Sequence, residues 1–338
     1  MRVAVLGLGF MGTTHLKALN KIPGAQVVAV MDQAERRLSG DLSSVQGNIG
    51  GPGERFDFSG MKRYRTIEEV TADPDVEAVD ICLPTHLHAP AALAALGHGK
   101  HVLVEKPMAL SQADCEQMIT EARRRNRILM VAQVLRFVPA YRSLAELVHS
   151  GKLGQVRSAF FRRRCAAPTW GPWEFDPSKS GGGVFDLLIH DADMCLHLFG
   201  RPRAVSATGH EDLPRGIDTI LARLEYPDIG FVAITGGWHH VGQYPFSMEY
   251  TVVADKGTVE YSSAGDGAVL YPAGGARETL PANGSDWYQA EIEYFLECCQ
   301  QGVWPDRCPP EESAAAVRLT RLMVESRRRG GERIPFSV

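Results

Sequence analysis

Ionisable side chains recur along one predicted helix and are the clearest chemical signal in the sequence. At the i, i+4, i+7 and i+11 spacing of a single helix face stand Asp186, His190, Asp193 and His197. The other residues of this segment are mostly apolar, so the helix is predicted to be buried. A buried ionisable stripe needs polar partners, which a substrate cleft supplies, although a polar face that meets water remains an alternative. A metal site is not favoured, because no third ligand accompanies the Asp–His pair.

Lys106 is a second candidate for chemistry. It follows the predicted strand His101–Val104 and precedes Pro107, which disfavours helical geometry at Lys106. A lysine at the carboxyl end of a parallel strand lies where ligands bind, and its ammonium would stabilise a developing alkoxide. A strand-end lysine that points to solvent is the alternative. His190, whose side-chain pKa is ordinarily about 6.5, would serve as the general base at neutral pH.

A dinucleotide-binding fingerprint opens the chain. Gly7-Leu8-Gly9-Phe10-Met11-Gly12 has the form G-x-G-x-x-G between a predicted strand and a predicted helix. Gly7 would permit the tight turn, Gly9 the approach of a pyrophosphate, and Gly12 close packing of helix on strand. Asp32, at the end of the next strand, would accept the adenosine ribose hydroxyls and repel a 2′-phosphate, which favours NAD. NADP stays open because Arg36 and Arg37 follow, although these are read here as exposed helix residues.

The elements around these residues indicate two domains. Continuously apolar runs predict buried parallel strands at Val3–Leu6, Val27–Val30, Val76–Leu83, His101–Val104 and Ile128–Val131. Helical segments between them are predicted at Met11–Asn20, Thr66–Thr71, Pro90–His98 and Ser111–Asn126. This alternation predicts a doubly wound α/β domain, a Rossmann fold, over residues 1–126.

From residue 127 the pattern changes. Alternating segments predict strands at Val156–Arg163, Ala204–Thr208, Thr219–Glu225, Gly230–Gly236, Ser247–Val253, Gly257–Tyr261 and Ala268–Tyr271. Helices are predicted at Pro139–Ser150, Trp287–Gln301 and Glu311–Arg329. Residues 127–338 are therefore predicted to be an α+β domain with one large, mainly antiparallel open sheet. The Gly-rich stretch Ser39–Gly60 is too long for an ordinary connection.

Composition narrows the classes of function. The chain has 338 residues and a formal charge of −4, which argues against a nucleic-acid partner. Seven cysteines form no C-x-x-C pair, and no apolar stretch reaches the length of a membrane span. With no signal-peptide pattern at the start, we expect a cytoplasmic protein that acts on a small molecule.

Two further motifs resemble those of the Gfo/Idh/MocA oxidoreductases, which include glucose–fructose oxidoreductase and inositol dehydrogenase. They are Gly99–Pro107, with its Glu-Lys-Pro, and the glycine-rich run Gly181–His190. Pro84–His88 and Leu135–Pro139 also match, in the same order along the chain. The resemblance implies a homodimer or homotetramer that associates through the C-terminal sheet.

The resemblance also implies roles for individual residues. The implied catalytic residues are Lys106, Asp186 and His190, which also contact substrate together with Asp193 and Trp173. Trp173 would stack on a sugar face, although a place in the domain core is an equal alternative. The implied cofactor residues are Gly7, Gly9, Phe10, Met11, Gly12, Asp32, Pro84, Thr85, His88, Glu105 and Lys106. Glu105 is read first as the positioning partner of Lys106, and His88 as structural or cofactor-orienting.

The function that follows is reversible oxidation of a secondary alcohol on a sugar, inositol or related polyol, with NAD as hydride acceptor. Some relatives use NAD for redox-neutral glycoside hydrolysis, which is one alternative. A catalytically silent NAD sensor is another, because a fold does not specify a function.

Overall fold

The computed structural model describes residues 1–47, 53–168, 171–242, 244–281 and 286–337. The chain divides into two compact units. One unit is formed by Met1–Val134 with Ser285–Ala314, and the other by Leu135–Gly284 with Ala315–Val338. Within the described residues, no helix is both long and apolar enough to cross a membrane.

The first unit contains a parallel sheet. Its six strands are β1 (Arg2–Leu6), β2 (Gln26–Met31), β3 (Lys62–Tyr64), β4 (Ala78–Ile81), β5 (His101–Glu105) and β6 (Leu129–Ala132). They lie in the order β3-β2-β1-β4-β5-β6. The winding direction reverses between β1 and β4, and in such sheets the carboxyl ends at the reversal form a ligand crevice. The loops after β1, β2, β4 and β5 carry the predicted cofactor residues and Lys106.

Helices connect these strands. They are α1 (Phe10–Leu19), α2 (Glu35–Leu38), α3 (Ile67–Ala72), α4 (His88–Gly97) and α5 (Gln112–Arg125). Side chains cap two of them: Thr66 and Glu69 form a capping box on α3, and Ser111 accepts the Asp114 N–H at the start of α5. The local sequence thus determines where α3 and α5 begin.

The second unit is built on a nine-stranded sheet. Its strands are β7 (Val156–Ala166), β8 (Ala204–Asp212), β9 (Ile217–Glu225), β10 (Phe231–His240), β11 (Ser247–Ala254), β12 (Gly257–Ser262), β13 (Gly267–Pro272), β14 (Glu278–Thr279) and β15 (Ile334–Pro335). They lie in the order β14-β13-β12-β11-β7-β10-β9-β8-β15. The β7–β10 pair is parallel, and the other pairs of named strands in this sheet are antiparallel.

The remaining helices are α6 (Pro139–His149), α7 (Pro177–Ser180), α8 (Gly183–Phe199), α9 (Trp287–Gln301) and α10 (Pro310–Arg328). Within the second unit, α8 packs against β7, β9 and β10. Within the first unit, α9 packs against α1. A helix that far along the chain therefore completes the dinucleotide-type unit.

The predicted fold class is confirmed, and the predicted elements lie within a few residues of the observed ones. Strands β3, β14 and β15 were missed because two or three residues carry no detectable periodicity. The strand predicted at Ile128–Val131 is β6, which pairs with β5 in the first sheet, and the domain boundary at residue 127 stays a prediction. The return of 285–314 to the first unit was not predicted, because packing of α9 on α1 has no local signature.

Candidate active site

Each glycine of the fingerprint has a separate geometric reason. Gly7 has φ +91°, and a Cβ there would lie 2.5 Å from the Cys82 carbonyl oxygen. A Cβ on Gly12 would lie 1.8 Å from the Gly7 carbonyl oxygen, so helix and loop pack too closely for any side chain. A Cβ on Gly9 would meet nothing within 4 Å. Packing therefore explains Gly7 and Gly12, whereas Gly9 leaves open space at the start of α1, where a pyrophosphate would bind.

A matched pair of alanine variants separates these roles. Gly9 already has extended backbone angles, so Gly9→Ala should leave the thermal midpoint nearly unchanged and weaken NAD binding by about tenfold. Gly12→Ala should instead destabilise the fold by about 1–3 kcal/mol through overpacking. Thermal unfolding and calorimetric NAD titration measure the two effects. Equal effects of both variants on stability would contradict the assignment.

Asp32 is held rigidly at the carboxyl end of β2. Its Oδ2 accepts the Leu8 N–H at 2.9 Å and its Oδ1 accepts the Ala34 N–H at 2.8 Å. Arg37 Nη1 lies 3.3 Å from Oδ2, so Arg37 is not simply an exposed helix residue as expected, whereas Arg36 pairs with Asp41. The carboxylate retains lone pairs for ribose hydroxyls, and its charge opposes a 2′-phosphate despite Arg37.

Asp32→Asn removes this charge while keeping an amide oxygen for the Leu8 N–H. We expect the preference for NAD over NADP, measured as the ratio of dissociation constants, to fall about tenfold, because one charged hydrogen-bond acceptor is worth roughly 1.5–3 kcal/mol. Asp41→Asn, beside the same helix, is the control and should leave the ratio unchanged. An unchanged ratio in Asp32→Asn would remove Asp32 from cofactor selection.

The loops after β4 and β5 are tied together by His88. Its Nε2 lies 2.7 Å from the Leu83 carbonyl oxygen and its Nδ1 2.8 Å from the Pro107 carbonyl oxygen. Burial lowers the pKa of His88 below its usual range. The ring nitrogen that carries the proton donates a hydrogen bond to the carbonyl oxygen next to it. Pro84 leads into the turn of buried Thr85. His88 thus has the structural role expected of it.

Glu105 and Lys106 come directly after one another at the end of β5. The Glu105 side chain is buried, and its Oε2 accepts the Lys106 backbone N–H at 3.0 Å. Lys106 is half-buried at the carboxyl edge of the sheet, as predicted from its position before Pro107. Glu105 therefore acts on the backbone of Lys106.

The glycine run Gly181-Gly182-Gly183 packs the start of α8 against the large sheet. Gly181 and Gly182 have φ of +83° and +93°, and a Cβ on Gly183 would lie 2.4 Å from the Trp238 ring. Asp218 on β9 accepts the Val184 N–H at 2.9 Å and so caps the helix. This role of Asp218 could not be predicted from the sequence, since a polar residue in a strand carries no capping signal.

The predicted stripe on α8 divides into two classes. Asp186, His190 and His197 are half-buried, and Asp193 is 1% exposed. The first three share a face at i, i+4 and i+11 and keep access to solvent on an otherwise buried helix. Asp186, His190 and His197 are therefore the stripe residues that keep exposed surface, and the catalytic roles of Asp186 and His190 stay a prediction.

Asp193, which was expected to bind a substrate hydroxyl, forms a buried ion pair with Arg136. Its Oδ1 and Oδ2 accept Arg136 Nη2 at 2.7 Å and Nε at 2.9 Å, and both side chains are 1% exposed. A second buried pair joins Asp191 to Arg163, with Nε–Oδ2 at 2.8 Å. The ions face protein because fully buried charges require partners. Leu135–Pro139 resembles a family segment, but sequence alone gave Arg136 no role.

The aromatic residues before the glycine run also divide. Phe175 is half-buried and packs against the buried Trp238, with the ring centroids 5.8 Å apart. Trp173 is half-buried in the turn Pro172–Phe175, and a Cβ on Gly171 would lie 2.9 Å from its Nε1. Its sugar-stacking role remains a prediction.

The described parts of Ser39–Gly60 pack against α1, the helix that begins within the glycine fingerprint. Leu42 and Phe58 are buried, and Glu54 pairs with Lys17 of α1 at 3.2 Å. A Cβ on Gly47 would lie 2.2 Å from the Phe10 ring. The segment thus packs against the half-buried Phe10, and residues 48–52 lie outside the described part.

Comparison with known families agrees with this geometry. Residues 1–133 match the Gfo/Idh/MocA oxidoreductase family with an NAD-binding Rossmann fold, and residues 141–260 match the Gfo/Idh/MocA C-terminal domain. The chain belongs to the Gfo/Idh/MocA family. The dinucleotide-type unit described above is therefore an NAD-binding Rossmann domain, and the large-sheet unit contains the family's C-terminal domain.

Individual Gfo/Idh/MocA relatives are similar over different lengths. Myo-inositol 2-dehydrogenase of Thermotoga maritima is 33% identical over 59% of this chain, and the match spans 55% of that relative's length. Trans-1,2-dihydrobenzene-1,2-diol dehydrogenase of Mus musculus is 28% identical over 99% of this chain and 98% of its own. The crystal structure of a probable dehydrogenase from Thermotoga maritima has a TM-score of 0.81, with 26% identity and 99% of each chain covered.

Proposed function

We propose that this oxidoreductase reversibly oxidises a secondary alcohol of a polyol or sugar and uses NAD as its cofactor. The observation that carries the proposal is the accessible pair Asp186 and His190 on a helix whose other acids are locked in buried ion pairs. An imidazole one helical turn from a carboxylate suits removal of a hydroxyl proton.

Three residues have distinct roles in this proposal. His190 takes the proton from the substrate hydroxyl. Lys106, at the carboxyl edge of the Rossmann sheet, donates a hydrogen bond to the same oxygen and stabilises the charge that develops on it. Asp186 accepts a hydrogen bond that orients the substrate or His190. The fingerprint Gly7–Gly12 and Asp32 would hold NAD⁺, which would supply the hydride-acceptor chemistry at the carbon that bears this hydroxyl.

The named relatives narrow the substrate class. Inositol and the dihydrobenzene diol are both six-membered carbocycles with neighbouring hydroxyls. We therefore propose cyclic vicinal diols, inositols first, followed by pyranose sugars. One hydroxyl would contact Lys106 and His190, and the neighbouring one Asp186. Asp193 would act only through the helix it anchors.

The large sheet is the proposed surface for homodimer or homotetramer formation. Its register places Leu221, Phe231, Val253 and Tyr271 on one face, and each is at least 37% exposed. An apolar sheet face of this kind is typical of an association surface. Light scattering of the purified protein measures the assembly.

The unpaired state of all seven cysteines supports the proposed cytoplasmic location.

The test follows reduced-nicotinamide absorbance with NAD⁺ or NADP⁺ against inositols, cyclic diols, aldoses and sugar acids. We expect NADH from at least one vicinal diol, and none from its deoxy analogue. Absence of NADH together with release of free sugar from glycosides would replace the proposal with redox-neutral hydrolysis. NAD binding without turnover of any compound would favour a sensor.

A further inference from the structure

A buried ionic chain lies directly beneath Lys106 in the first unit. His15 on α1 is fully buried between Asp80 of β4 and Glu105 of β5. Its Nδ1 lies 2.9 and 3.0 Å from the two Asp80 oxygens, and its Nε2 lies 3.1 Å from Glu105 Oε1. The opposite oxygen of Glu105 accepts the Lys106 N–H. His15 thus links the first helix to Glu105, and Glu105 accepts the backbone N–H of the proposed catalytic lysine. Asp80 binds the other side of the His15 ring.

The geometry indicates that His15 carries a positive charge. The ring lies between two carboxylates, with Nδ1 hydrogen-bonded to Asp80 and Nε2 at ion-pair distance from Glu105, and two flanking negative charges favour the imidazolium. Burial disfavours the charged form, but Asp80 and its hydrogen bond outweigh it, so the pKa of His15 is raised well above its usual range. The other groups facing this cluster are Cys82, whose pKa burial raises, and Tyr288 of α9, with Glu291 behind it.

A metal ion is the other species this cluster would suit. His15, Asp80 and Cys82 offer three ligand atoms within 4.8 Å of one another. However, Nδ1 is almost equidistant from both Asp80 oxygens at hydrogen-bond length, and Cys82 Sγ lies 3.6 Å from Asp80 Oδ1 as a thiol donor. Hydrogen bonds therefore account for the contacts of Asp80 with His15 and Cys82.

We propose that Asp80, His15 and Glu105 form a positioning chain that holds the Lys106 backbone, and so aims its ammonium, for the proposed alcohol oxidation. Asp80 fixes the imidazolium, the imidazolium fixes Glu105, and Glu105 fixes the Lys106 amide. The inference rests on the proposed function for its kinetic readout only. None of the three residues is placed in contact with substrate.

The first test is a double-mutant cycle with His15→Gln, Lys106→Met and their combination. Glutamine can donate to one carboxylate but carries no charge, so His15→Gln should lower kcat on the order of 10²-fold and change the NAD dissociation constant less than about threefold. Because His15 acts through Lys106, the double variant should be no slower than Lys106→Met alone. Additive losses would overturn the proposal.

Leu19→Ala is the matched control, since Leu19 is an apolar residue buried on the same helix. It should lower the thermal midpoint without lowering kcat. Amide hydrogen exchange at Lys106 provides a readout independent of turnover. Faster exchange in His15→Gln but not in Leu19→Ala is expected, even if wild type proves to oxidise no alcohol, in which case only the proposed function fails. Unchanged exchange, or stoichiometric bound metal in the purified protein, would overturn the positioning chain.

The stability difference between wild type and His15→Gln should depend on pH. Since the folded-state pKa of His15 is raised, its stabilising contribution is complete below its unfolded pKa of about 6.5 and is lost as pH rises through the raised value. Urea unfolding across this range should show the difference shrinking at alkaline pH. A difference that grows with pH would mean that His15 is buried in its neutral form.

Discussion

Lys106→Met is expected to lower kcat for the proposed polyol oxidation by about 10²–10⁴-fold, because it removes the group proposed to assist proton transfer and stabilise alkoxide charge. Methionine fills similar space and keeps the backbone N–H that Glu105 accepts. NAD affinity should change little, because the fingerprint and Asp32 are proposed to bind the other end of the cofactor. Steady-state kinetics and NAD titration on the same preparation measure both quantities.

Lys100→Met is the matched control for Lys106. Lys100 lies before the same strand, and its Nζ donates to the Asp73 and Val76 carbonyl oxygens at 2.7 Å each. Removing the ammonium leaves both buried carbonyl oxygens without this hydrogen-bond donor, so the free energy of unfolding should fall. The kcat per folded molecule should be retained. Equal kcat in wild type and Lys106→Met would remove Lys106 from the chemistry. Equal loss in both lysine variants would show that the effect is structural.

The second large effect is expected at the Arg136–Asp193 pair. Asp193→Asn leaves the Arg136 guanidinium buried with a neutral partner, and loss of one member of a buried ion pair costs about 3–5 kcal/mol. Denaturant unfolding of the second unit's tryptophan signal measures this loss. The effect should exceed that of any exposed pair, such as Arg142–Glu146, whose side chains are more than half exposed.

The double variant Arg136→Met/Asp193→Leu separates the structural role of Asp193 from direct substrate binding. Removing both charges leaves no stranded ion, so most of the lost stability should return. If the pair only anchors α8, the substrate KM of this variant should stay within about threefold of wild type. A stable double variant with a KM raised on the order of 10²-fold would restore Asp193 as a substrate ligand.

The features of this protein that could be predicted from the sequence are local or periodic. The fingerprint Gly7–Gly12, the acid Asp32 at the end of β2, the apolar strand runs and the helical stripe on α8 all repeat at short spacings. Backbone sterics and burial impose these spacings on any chain with this architecture, so they can be read without coordinates. The position of Lys106 followed in the same way from Pro107.

The pairing of polar groups with other protein residues could not be predicted from the sequence. Asp193 and His190 have the same helical signature, yet Asp193 meets Arg136, 57 residues away, and His15 meets Asp80, 65 residues away. Buried ions must pair, but electrostatics does not specify where in the chain the partner stands. The partners are set by strand order and helix packing, since β4 and β5 lie side by side under α1 and the Arg136 turn lies beside α8.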